Sequence, residues 1–155
     1  MKILRRLKNF LSLEPSKMLM LFEAYFLLGW ARILKLVPFS RVAPSLGEQN
    51  EETTATVVGK GNQNVLKEIS ESIHIMSQYT FWESQCLVKA IAGMKMLERR
   101  KIESTLYLGT GRDETGKLVA HAWLRSGPYY ISGAEGMERY VVVGKFAKKI
   151  RKNNH

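Results

Sequence analysis

The chain has 155 residues, 45% of them apolar and 25% charged, so it is long enough for one packed domain and is not disordered overall. Lys and Arg outnumber Asp and Glu by 24 to 14, a formal charge of +10, which favours anionic partners without choosing among them. A single cysteine, Cys86, excludes an internal disulfide, and three scattered histidines (74, 121 and 155) argue against a zinc site; no metal or cofactor is expected.

Residues 1–13 form a basic amphipathic segment carrying Lys2, Arg5, Arg6 and Lys8. Pro15 and Ser16 restart the chain, with Ser16 as an expected N-cap. Lys17 to Val37 reads as one helix with an apolar face so wide that it should be buried on most sides. Its longest uncharged run, Ala24 to Ala31, is far short of the roughly 20 residues a spanning helix needs. No small-residue cleavage site follows, so no signal peptide is read. A cytoplasmic protein is expected, with peripheral attachment to a membrane through the basic segment as an additional reading. Pro38 ends the helix. The division expected is an N-terminal helical region over 1–47, a polar linker over 48–63, a core over 64–146 and a basic tail over 147–155.

From Asn64 the pattern is helical, with Val65, Ile69, Ile73 and Met76 on one face. A short aromatic connector leads to a second helix, where Cys86, Ala90, Met94 and Leu97 share a face and Glu83 or Ser84 serves as cap. Past Lys101 the period changes from 3.6 to 2. Strands are expected over Ser104–Thr110, Lys117–Ser126, Tyr129–Ser132 and Arg139–Lys145, joined as an antiparallel meander. On the second of these strands His121 alternates with Ala120 and Ala122. Helices followed by a meander make the fold class α+β. Gly111 to Lys117 fits G-x-x-x-x-G-K, but Leu118 replaces the hydroxyl that holds Mg²⁺, so a hairpin turn is expected. No nucleic-acid-binding motif is present.

Cys86 at a helix start and His121 on a strand are the pair with chemical potential. A helix N-terminus and an imidazolium both favour thiolate, and free backbone N–H groups can receive an oxyanion. Spacing alone leaves open that Cys86 is a small core residue and His121 a satisfied core histidine.

The run Trp82-Glu83-Ser84-Gln85-Cys86-Leu87 with Ala90, then Leu97 to Ile102, Leu106 to Gly109 and Ala120-His121-Ala122-Trp123-Leu124, resembles the standalone leader peptidases of bacterial lasso-peptide biosynthesis. So does the stretch Leu36 to Ala43. The resemblance covers about residues 15–145. It implies a transglutaminase-like, papain-like fold, with the Cys helix packed on an antiparallel sheet that carries the His. It further implies a cysteine peptidase that cuts a precursor peptide through a thioester. Cys86 would be the nucleophile and His121 the acid and base, with the Cys86 N–H and Gln85 at the oxyanion. A separate leader-binding recognition protein and a lasso cyclase are the implied partners. The family commonly orients its His with an Asp about a dozen residues on. Here that place falls on Gly133 or its neighbours, so Glu135 is the nearest carboxylate, Ser132 a weaker candidate, and a backbone carbonyl or water a further one. Acyl transfer to an amine, or a non-catalytic basic module binding peptide or membrane, are the competing readings.

Overall fold

The computed structural model describes residues 1–55, 60–80 and 85–150. Three helices open the chain: α1 (Lys2–Leu11), α2 (Pro15–Leu34) and α3 (Phe39–Leu46). A two-residue strand, β1 (Glu48–Gln49), precedes α4 (Lys60–Ser77) and α5 (Cys86–Arg99). Strands β2 (Ser104–Arg112), β3 (Leu118–Ser126), β4 (Tyr129–Ser132) and β5 (Val141–Lys148) complete the order, with a 3-10 turn at Met137–Arg139. Glu83 and Ser84, the expected caps of the Cys86 helix, and the end of the basic tail at 151–155 lie outside the described residues.

Pro15 takes the first turn of α2, where its fixed φ suits a helix and its missing N–H is not needed, so Glu14 rather than Ser16 is the N-cap. The helix stops at Leu34 and not at Val37, and Pro38 becomes the N-cap of α3. The short helix α3 was not expected; it buries Val42 and Leu46. Burial of α2 is confined to one stripe, Leu21, Ala24, Leu28 and Ala31, while Leu19, Phe26 and Ile33 stay exposed. The expectation of burial on most sides is therefore corrected.

Helices α2, α4 and α5 pack together, and α4 and α5 lie against one face of the sheet. The core joins Leu28 and Leu46 of the N-terminal helices to Ile69 and Ile73 of α4, Ile91 and Met94 of α5, and Leu106 and Leu124 of the sheet. Full burial of such a side chain is worth about 1.5–3 kcal/mol. A second tie is ionic: Arg100 grips Glu23 through Nη1 at 2.9 Å and Nη2 at 2.7 Å, and Arg99 adds a third contact at 2.9 Å. This hydrogen bonding raises the Arg100 pKa further and fastens α2 to the C-terminal turn of α5.

The sheet has five strands in the order β1-β5-β2-β3-β4, with every described pairing antiparallel. It is not a pure meander. After β4 the chain crosses the sheet and β5 pairs with the far edge of β2. Two glycines make room for the crossing. A Cβ on Gly109 would stand 2.9 Å from Tyr140 Cβ, and one on Gly111 would stand 2.9 Å from the Arg139 carbonyl. The start of the expected linker is structured, since Glu48 and Gln49 pair with Ala147 and Phe146.

The face away from the helices has its own anchor. Buried Arg125 donates to Tyr107 Oη (3.0 Å), the Gly127 carbonyl (2.7 Å) and the Thr53 carbonyl (3.0 Å), and Thr53 Oγ1 meets Thr105 Oγ1 at 2.7 Å. The G-x-x-x-x-G-K stretch is a hairpin turn between β2 and β3. Asp113 Oδ1 accepts from Thr115 N, Thr115 Oγ1 and Lys117 N.

Candidate active site

Cys86 is the first residue of α5, as its place in the pattern predicts. Gln85 is the N-cap, extended at φ −75° and ψ 177°. The first N–H groups of any helix lack intrahelical acceptors, so this end can receive negative charge. The Cys86 side chain is half-buried and packs against the core.

His121 lies on β3, opposite Gly109 of β2. Its Nε2 is 2.7 Å from the Gly133 carbonyl. A carbonyl oxygen only accepts, so Nε2 must carry the proton and the neutral ring keeps Nδ1 as its base. The ring is held flat by Tyr140, with centroids 4.8 Å apart, and by Trp123 at 5.8 Å. Trp123 in turn stacks on Tyr107 at 5.5 Å.

Gly133 lies in the short stretch where the resemblance implies an orienting acid. Its φ is +74°, and a Cβ there would sit 2.3 Å from the Ala122 carbonyl. No side chain fits, and the main-chain carbonyl holds the imidazole instead. Glu135 is exposed and, among the described residues, makes no hydrogen bond to His121. Ser132 keeps its hydroxyl buried and without a partner.

Cys86 and His121 are each placed relative to one contact between α5 and β3. A Cβ on Gly93 would touch Leu124, which fixes α5 against β3. From Gly93 back to Cys86 is seven helical residues, about 10 Å at 1.5 Å each. From Leu124 back to His121 is three strand residues, about 10 Å at 3.3 Å each. Cys86 and His121 therefore lie about equally far from that contact, each along its own element. They are not joined: no hydrogen bond links Sγ to the ring among the described residues. Ala122 and Leu124 face the helices, so strand alternation turns His121 to the other face, against Tyr140.

Beside Gly133 lies a cleft of about 280 Å³. Its walls include Lys89, one turn past Cys86, together with His74, Ser70, Gly133 and Ala134. His74 lies on α4 and Lys89 on α5, so their convergence depends on how the two helices pack. Among the described residues no group of three or more His, Cys, Asp or Glu could hold a metal ion. Nor is any described helix long and apolar enough to cross a membrane.

A family model described as the transglutaminase-like superfamily matches residues 33–145. The match begins near the end of α2 and runs into β5, so it contains both Cys86 and His121. No curated protein and no solved structure matches the chain.

Proposed function

The chain belongs to the transglutaminase-like superfamily, and from that premise we propose that it is a cysteine peptidase that removes the leader from a ribosomally made lasso-peptide precursor. The cysteine chemistry is supported by the superfamily match across both Cys86 and His121, and by the Gly133–His121 hydrogen bond, which leaves Nδ1 as the ring's base. The lasso-peptide assignment rests on the sequence resemblance alone.

In this reading His121 Nδ1 takes the Cys86 proton, and the thiolate adds to the scissile carbonyl. The Cys86 N–H, with Gln85 beside it, stabilises the oxyanion. The imidazolium returns its proton to the leaving amine as the C–N bond breaks. The thioester is then opened by a water whose proton passes to His121, releasing the leader's new carboxyl and restoring the thiol. The freed core amine goes to a separate cyclase. The His121 ring lies on the sheet face away from α5, so this reading requires a rearrangement of α5 or β3 on substrate binding to bring Sγ and Nδ1 together. Binding of the leader by its recognition protein is the natural trigger. The cleft beside Lys89 and Gly133 is the place we assign to the extended peptide. The protein would work in the cytoplasm.

The test is mass spectrometry of a precursor peptide incubated with its recognition protein and this chain. Hydrolysis yields two fragments that together exceed the precursor by one water, and Cys86→Ala and His121→Ala abolish them. Attachment of an added amine in place of water would identify an acyl transferase, the second reading the family allows. Peptide binding with no product from the wild type would leave only a non-catalytic module.

A further inference from the structure

Helix α1 docks the wrong way round for a soluble helix. At 3.6 residues per turn, Ile3, Leu4, Leu7 and Leu11 fall within an arc of about 100°. That arc faces out: the four side chains are between 53 and 80% exposed. Among the described residues, one contact with the rest of the molecule comes from the polar side, where the Arg6 guanidinium lies 6.0 Å from the centre of the Tyr79 ring, just past α4. Lys8 and Arg6 border the apolar arc, Lys2 and Arg5 lie behind it, and residues 1–13 contain no acid. Helix α2 has an outward apolar stripe of Leu19, Phe26 and Ile33, 63 to 70% exposed, opposite the side it buries.

We propose that α1 is a docking surface for an anionic lipid bilayer. An apolar arc bordered by cations is what a helix lying in the headgroup plane requires: leucines enter the acyl boundary while Lys and Arg meet lipid phosphates. Charge complementarity selects this occupant. A protein partner for an apolar arc does not need cations on both borders with no acid among them, whereas an anionic surface does. The surface is independent of Cys86 chemistry. It would hold the protein at a membrane while leaving the cleft to its peptide.

The test is co-sedimentation of the full chain with phosphatidylglycerol–phosphatidylcholine vesicles and with pure phosphatidylcholine vesicles, at low and high salt. The chain should pellet with the anionic vesicles, release as salt rises, and bind the neutral ones at least about tenfold more weakly. Leu4→Asn with Leu7→Asn, and separately Arg5→Gln with Lys8→Gln, should each lower anionic binding about tenfold or more without moving the melting temperature, since all four side chains are exposed. Cys86→Ala should bind as wild type does. Equal binding to both vesicle types would overturn the proposal, as would no binding. So would a dimer in sedimentation velocity that Leu4→Asn with Leu7→Asn dissolves, because the arc would then be an interface between copies.

Discussion

His121 and Gly133 are joined by one hydrogen bond, 2.7 Å from Nε2 to the main-chain carbonyl. Twelve residues separate them in sequence, and the turn into β4 brings them together. In the proposed dyad this bond would do the orienting that a carboxylate does in a catalytic triad, fixing the tautomer and aim of the ring. It does so without negative charge, so it stabilises an imidazolium less. The prediction is a dyad whose base is well aimed but only modestly strengthened.

Gly133→Ala tests the bond from the carbonyl side. Its Cβ would collide with the Ala122 carbonyl, and φ +74° disfavours any side chain. A loss of about 1–3 kcal/mol is expected in denaturant unfolding. Cleavage should fall further than stability explains, and the histidine ¹⁵N shifts should show a mixture of tautomers. A variant with wild-type tautomer and wild-type cleavage would show that the carbonyl has no role.

Glu135→Gln separates the two candidates for the third group. With Gly133 as the orienting partner, rate and pH profile should be unchanged. A fall of roughly a hundredfold or more, the scale of a lost acid–base function, would return the role to Glu135.

Glu23→Gln should loosen α2 from α5. The substitution removes the charge that Arg99 and Arg100 share, in a partly shielded setting. The expected cost is about 1–2 kcal/mol in urea unfolding, since hydrogen bonds to charged groups exceed neutral ones while exposure discounts them. Arg100→Lys should cost nearly as much, because an ammonium cannot reproduce the two-pronged grip.

The β2–β3 turn should respond to acid. Asp113 is held below the usual carboxylate range, chiefly by the Thr115 hydroxyl and then by the Lys117 and Thr115 amides. A carboxylate with a lowered folded pKa contributes fully above its unfolded value, near 3.9, and its contribution is lost as pH falls through the folded value. Amide exchange at Thr115 and Lys117 should speed up in that window. In Asp113→Ala it should be fast throughout and show no such step.

Much of this architecture was legible because periodicity reports burial. The change from 3.6 to 2 after Lys101 located the Cys86 helix and the His121 strand, and the helix does begin at Cys86. Four things were not legible. The outward stripe of α2 reads as core, since hydropathy says a face is apolar but not what covers it. The pairing of β5 with β2 depends on Gly109 and Gly111 clearing a path for Tyr140, a three-dimensional fit that no local pattern encodes. The third group is the clearest case. The resemblance pointed to Gly133 or its neighbours and found no Asp there, yet the partner at Gly133 is main chain, which every residue carries. Strand alternation, finally, assigns His121 to a face but not to the helix side or the open side. That choice is made by Ala122 and Leu124, which take the helix side.

The central claim is that Cys86 and His121 act as one chemical unit, and its most direct measurement is the rate of iodoacetamide alkylation of this single thiol against pH, in wild type and His121→Ala. Fast labelling that persists well below about pH 8 in wild type and is lost in His121→Ala is expected, the mark of a thiolate supported by an imidazolium. Slow labelling at every pH, with the same profile in both proteins, would contradict it and leave Cys86 as a core residue.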